Sequence, residues 1–418
     1  MKKPVKPTRK NIIPEVGLSK IGDNTTNYTY LFAGIILALV ILNFLFQNHY
    51  KYTFIERSWG LNDLSYFPAW IEVVVIILLS ALVIPSINKS IQNFTQNLIQ
   101  RLQFKQLSIS SKLLVFAGIS LFLTLLLFAF RIKYDFLGDR DIRVHQSVAG
   151  TYARDEYLTT YLLHYINLVC AKLFHFNPHQ TFVLHSLGAG FCFFFLGLLI
   201  ADLLFNSLDK CIAFFLFYIS IGTLLVFCGY VEIYAFPIAS ISLYTYLSIL
   251  YLKNKVKLSA PFMALILALA LHLEQVSLIP SFVFLVLKNS EFYSKIDIRA
   301  ALILFVVSIP CIYVLNSIFT LGPELLTPLT QNAKYPLFYT AFSWSHIWEF
   351  FNSQTLSSGI LVFMVAPILI ALLRKQIAAD EFSMFFLIMY LFSVVIVFTA
   401  NTMRGSADWD ICSFPALP

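Results

Sequence analysis

Charge is scarce in this sequence. Only 12% of its 418 residues are Asp, Glu, Lys or Arg, roughly half of the ~25% usual in soluble domains. Hydrophobic residues make up 59% and the mean hydropathy is +0.77. So little polar surface cannot cover a water-soluble core, and a large soluble α-protein is excluded. Cysteine is scarce as well. Cys170, Cys192, Cys211, Cys228 and Cys311 fall inside apolar runs, with neither metal-ligand spacing nor a disulfide framework, and read as packing residues. There is no P-loop, dinucleotide fingerprint, zinc motif or Gly-x-Ser-x-Gly elbow. The short alternating segments of an outer-membrane barrel are missing too.

What is present is a series of apolar runs of spanning length. They cover Tyr30–Phe46, Trp70–Ile87, Leu113–Phe130, Thr181–Phe205, Cys211–Cys228, Val231–Leu252, Ala300–Phe319, Gly359–Leu373 and Phe382–Thr399. Hydrocarbon offers the backbone no partners, so each run is expected to be a helix. The fold class is therefore all-α, a polytopic transmembrane bundle of about nine spans. Residues 1–29 are polar and basic, and no cleavable apolar segment follows them. They read as a cytoplasmic tail. Residues 30–112 read as two spans joined by a cytoplasmic linker. In that linker Ile91, Phe94, Leu98 and Leu102 repeat at helical spacing beside Arg101 and Lys105, which predicts a basic amphipathic helix on the inner leaflet. The core runs from 113 to 418, and the end at Pro418 leaves open a longer chain with further spans.

Two segments are ambiguous. Tyr157–Phe176 follows Glu156, and Glu156, Thr160, His164 and Asn167 share one narrow helical face. That face reads as the wet side of an interfacial helix, or as one wall of a substrate groove. Ser259–Leu287 carries His272 and Glu274 at its middle. Each half reaches only ~21 Å, short of the ~30 Å hydrocarbon core. It reads as two short helices or a re-entrant hairpin with both ends on one side. The net charge of +7 is best explained by these choices. If Tyr157–Phe176 does not cross and Ser259–Leu287 returns, then Lys89, Arg101, Lys105, Lys112, Lys253, Lys255 and Lys257 join the basic tail on the cytoplasmic side. The opposite side is left net negative, as the positive-inside rule requires. These bases are topology determinants, and nucleic-acid binding has no support.

The opposite side then holds the chemistry. Arg131–Glu156 packs Arg131, Lys133, Arg140, Arg143 and Arg154 among Asp135, Asp139, Asp141, Asp155 and Glu156. Gly138 permits a tight turn presenting Asp139 and Asp141. Glu232 sits at the mouth of a helix, and Arg404, Asp408 and Asp410 share the last loop. A carboxylate can deprotonate an acceptor hydroxyl or hold a divalent cation, and an arginine can clamp a phosphate. The alternative is that these groups pair and solvate a loop. Trp344 and Trp348 suit an interfacial aromatic belt, with His346 between them a minor candidate for phosphate contact.

The order of these pieces resembles the GT-C class of membrane glycosyltransferases, from Leu113 onward. The resemblance rests on Phe136–Asp139, Glu156–Thr160, Gly229–Glu232 and Asp408–Asp410, each weak alone. It implies an enzyme of the bacterial plasma membrane that takes a polyprenyl-phosphate-linked sugar to an acceptor outside the cytoplasm. Asp139 would be the catalytic base, with Asp141 as its neighbour and Arg140 between them. Arg140, Arg143 or Arg404 would hold the lipid phosphate. Glu156, His164, Glu232, His346, Asp408 and Asp410 would contact sugar or phosphate, with a divalent cation as the one possible cofactor. A transporter or flippase of a lipid-linked or anionic substrate is the alternative, and a polysaccharide polymerase or ligase is another.

Overall fold

A computed structural model of the chain describes residues 34, 37, 38, 41, 69–102, 107–131, 140–151, 156–288, 290, 298–319, 326–330, 339–358, 361–374 and 380–400. The described elements are helical, and the one extended pairing among them is a bridge between Leu326 and Ala400. The chain divides into two units, Met1–Lys51 with Leu64–Asn93, and Tyr52–Asp63 with Phe94–Pro418.

In the first unit, α1 (Ala69–Val83) is apolar almost throughout. Pro85 lacks an N–H and its ring clashes with the preceding turn, so α1 ends and α2 (Pro85–Leu102, whose residues from Phe94 on fall in the second unit) starts with proline at its first position. The expected span Trp70–Ile87 is thus interrupted, and the 15 residues of α1 reach about 22 Å. α2 contains most of the expected amphipathic segment, with Ile91 and Phe94 exposed. Of Tyr30–Phe46, the described residues Gly34, Leu37, Ala38 and Ile41 are helical.

The second unit runs α3 (Ile109–Ala129), α4 (Arg140–Ala149), α5 (Tyr157–Phe174), α6 (Pro178–Leu204), α7 (Leu208–Ile219), α8 (Ala235–Leu252), α9 (Ser259–Leu271), α10 (Ile279–Leu287), α11 (Ile298–Phe319), α12 (Trp344–Ser358), α13 (Leu361–Leu373) and α14 (Glu381–Thr399). Two 3-10 turns, Gly222–Phe227 and Leu273–Leu278, interrupt it. Four described helices, α3, α6, α8 and α14, are long and apolar enough to cross a bilayer. Exposed Leu114, Leu121, Phe122 and Leu125 on α3 and Ile303, Leu304, Val306 and Val307 on α11 form apolar surfaces too extensive for water.

Side-chain pairs set the direction of each segment. Lys112 at the start of α3 lies 3.3 Å from Asp202 near the end of α6. Arg131, just past α3, and Val183, in the second turn of α6, both flank Gly229. The two helices are antiparallel, so the α4–α5 segment leaves and returns at one end of the bundle. The hairpin behaves likewise. Lys288, just past α10, donates to the carbonyl of Leu252 and to Asn254, 3.3 Å, between α8 and α9. Ser259–Leu287 therefore returns to the end from which it left.

Cys211–Cys228 departs from the expected straight span. α7 stops at Ile219, and the 3-10 turn follows. At Gly222 an added Cβ would sit 1.9 Å from the Leu356 carbonyl. The backbone of α12 packs directly on this turn, and that tertiary contact displaces the continuation of the helix. Tyr218 at the end of α7 stacks on Phe193 (4.3 Å between ring centres) and lies over Gly197 of α6, with its hydroxyl on Ser242 of α8. A larger residue at 197 would force these helices apart.

Candidate functional site

At the end of the bundle opposite Lys112, Lys253 and Lys288, four separate segments bring ionisable side chains together. The first is α4. Gly150 (φ 66°) terminates it, and the Thr151 N–H returns to the Gln146 carbonyl at 3.2 Å, a left-handed helix stop. Arg143 lies on the packed side of α4. The second segment begins at Glu156, directly before α5, where a carboxylate complements the positive helix end. Arg143 grips it with two parallel bonds, Nη1 to Oε2 at 2.7 Å and Nη2 to Oε1 at 3.0 Å. This fork geometry is the strongest that a carboxylate and a guanidinium make.

The third is the loop after the 3-10 turn. Residues 226–235 are buried throughout, and buried backbone needs partners. Ser186 on α6 supplies two of them: its hydroxyl donates to the Val226 carbonyl at 2.8 Å and accepts from the Gly229 N–H at 3.0 Å. Gly229 turns with φ 74°, a region that disfavours any Cβ. The turn delivers Glu232, whose Oε2 lies 3.6 Å from Arg143 Nε. The fourth is the break in the hairpin. His272 adopts an extended backbone between α9 and the following 3-10 turn, and Thr159 of α5 donates to the neighbouring Leu271 carbonyl at 2.7 Å. The His272 Nδ1 accepts the Glu274 N–H at 3.2 Å, so the hydrogen of a neutral ring is on Nε2, which faces Glu156 Oε1 at 3.7 Å.

Glu156, Glu232 and His272 are all at least 96% buried in their side chains, and Arg143 is nearly so. Ions this deep cost several kcal/mol each to desolvate unless paired, about 3–5 kcal/mol being lost when one partner is removed. The cluster therefore holds α4, α5, the Glu232 loop and the hairpin tip in one arrangement.

The inward face of α5 differs from the expected wet one. Glu156, Thr160 and Asn167 are buried, and the His164 Nδ1–H donates to the Ser147 carbonyl at 2.7 Å. The exposed face is instead Tyr157, Tyr161 and Tyr165 with Leu168 and Leu173, the tyrosine rings spaced 6.3 and 4.6 Å. Packing against α4, α6 and α9 wins because Arg143 and Leu271 demand the polar partners that this face carries.

Asp141 lies in the first turn of α4 and is exposed. Arg140 opens the same helix. Asp139, Arg404, Asp408 and Asp410 lie outside the described residues. His346 sits elsewhere, on α12. Its Nε2–H donates to the Phe398 carbonyl at 2.7 Å, and its Nδ1 lies 3.2 Å from the Tyr339 hydroxyl. That hydroxyl is also 2.9 Å from Glu349 Oε2. Burial pushes His346 below the ordinary imidazole range and Glu349 above the ordinary carboxylate range. Tyr339 escaped the sequence reading, since nothing local distinguishes it among the chain's 21 tyrosines.

Among the described residues no three His, Cys, Asp or Glu side chains are placed to hold a metal ion. Glu156 and Glu232 are already engaged by Arg143. No family model matches the chain, and neither a curated protein nor a solved structure does.

Proposed function

We propose that the chain is a membrane glycosyltransferase. It moves a sugar from a polyprenyl-phosphate donor to an acceptor hydroxyl at the Arg143 end, which faces away from the cytoplasm. The observation that carries this reading is the convergence of Arg143, Glu156, Glu232 and His272 at the end of the bundle where α4 opens with Arg140 and Asp141. A buried, paired scaffold next in sequence to an acidic, arginine-rich segment is what positioning catalysis requires.

In the reaction, the acceptor oxygen bonds to the anomeric carbon as its proton passes to Asp139 or Asp141. The bond between that carbon and the phosphate oxygen breaks, and the lipid phosphate leaves with the electron pair. Inversion at the sugar follows from the single displacement. Arg140 or Arg404 takes the phosphate charge. Arg143, committed to Glu156 and Glu232, is a positioning residue. No step is assigned to a metal ion. Asp139→Asn and Asp141→Asn, assayed in membranes with radiolabelled polyprenyl-phosphate sugar, test the roles. At least one is expected to lower transfer about 100-fold or more. Full transfer by both variants removes the proposed base.

One observation favours a transporter instead. The break at His272 interrupts a hairpin, and interrupted helices line the binding sites of many transporters. Flux of a lipid-linked or anionic substrate across proteoliposomes, with no new glycosidic bond, would favour that reading.

A further inference from the structure

The Tyr339 hydroxyl has one hydrogen and two close partners. His346 Nδ1 lies 3.2 Å from its oxygen and Glu349 Oε2 lies 2.9 Å from it. The other ring nitrogen, Nε2, donates to the Phe398 carbonyl, so a neutral His346 offers only a lone pair at Nδ1. An ionised Glu349 also offers only lone pairs. With neutral His346 and ionised Glu349, the single tyrosyl hydrogen bridges one gap and leaves two lone pairs facing each other across the second. Both gaps close when the group holds one more proton, on Glu349 or on Nδ1.

We propose that Tyr339, His346 and Glu349 form a proton-holding site that keeps this extra proton on Glu349 and passes it to His346 through the tyrosyl oxygen. In the transfer the Glu349 O–H breaks and its proton joins the tyrosyl oxygen. The tyrosyl O–H breaks at the same time and its proton forms an N–H on Nδ1. A carboxylate, an intact phenol and an imidazolium result, with no change in total charge. Burial raises Glu349 and lowers His346, which places the resting proton on the carboxyl.

The described elements that pack on α12 bring no further charge to the group. α13, the Gly222–Phe227 turn and the last turn of α14 pack around α12, and none carries an ionisable side chain in its sequence. Among the described residues preceding α12, Ser343 accepts the His346 N–H at 3.3 Å, and Tyr339 is the titratable side chain. Imidazolium formation strengthens the bond to Phe398 by making it charge-assisted, so the proton's position acts on the end of α14. This inference does not depend on the sugar-transfer reading.

Infrared spectroscopy of the purified full chain at neutral pH tests it. The wild type is expected to show the C=O stretch of a protonated carboxyl, shifted by carbon-13 glutamate labelling and missing in Glu349→Gln, whose amide keeps the bond to Tyr339. In Tyr339→Phe the band is expected to persist and move to higher frequency, as the bond to the hydroxyl is gone. Absence of a glutamate-labelled band in the wild type, or a band unmoved by Tyr339→Phe, overturns the proposal. The labelled wild type decides the first point even where a variant fails to fold.

Discussion

The two ends of the bundle solve the problem of charge in opposite ways. At one end Lys112 meets Asp202 at 3.3 Å with side chains 18% and 26% exposed, and Lys253 and Lys288 cap the carbonyls of Leu203 and Leu252. These are long side chains reaching back over helix ends from a wet boundary. At the other end Arg143 and Glu156 meet at 2.7 Å with side chains 11% and 4% exposed, and Glu232 and His272 complete the cluster. The first pattern anchors helices at a surface. The second organises segments around a dry polar centre, an expensive device that a simple anchor does not need.

The comparison can be broken most severely at Glu156. Glu156→Ala takes the bidentate carboxylate away from buried Arg143, with Glu232 at 3.6 Å a poorer partner. Stability in detergent, followed by thermal or denaturant unfolding, is expected to fall by about 3–5 kcal/mol. Replacing Arg143 and Glu156 together by Met is expected to cost less than the sum of the single changes, by about 0.5–3 kcal/mol. Additive costs would mean that the two groups do not work as a pair.

A smaller effect belongs to Thr159→Val, which removes the donor from the Leu271 carbonyl at the hairpin break. The loss is expected near ~1–3 kcal/mol, the cost of an unsatisfied buried acceptor. At the lysine end, Lys112→Gln is expected to cost under ~1 kcal/mol and to matter less still at high salt.

The Tyr339 group adds a pH dependence of its own. Glu349 is raised by burial, so the stability it contributes is full in acid and fades as pH climbs through its raised value. His346 is lowered by burial, so its contribution is full in alkali and fades as pH falls through its depressed value. Unfolding midpoints against pH are expected to show an optimum between these limits. Glu349→Gln is expected to remove the alkaline fall and keep the acid one.

Much of this arrangement was legible in the apolar runs and in the placement of charge. The short halves of Ser259–Leu287 pointed to two short helices or a hairpin with both ends on one side, and the polar residues at its middle marked the break at His272. Arg143, Glu156 and Glu232 stood out as charges that a lipid-embedded chain retains only for a reason. What stayed hidden was set by contacts distant in sequence. Nothing within Cys211–Cys228 announces that Leu356 will press on Gly222 and end α7. The polar face of α5 looked solvated because its partners, Ser147 and Leu271, belong to other segments. Tyr339 gained its role only by meeting His346 and Glu349 in the folded chain.

The central claim is that the Arg143 end and the lysine end lie on opposite sides of one membrane. Single cysteines replacing Asp141 and Lys255, both exposed, in an otherwise cysteine-free chain report this directly. A membrane-impermeant maleimide added to intact cells is expected to label the first position, and the second only after permeabilisation. Equal labelling of both in intact cells, or of neither, would contradict the account.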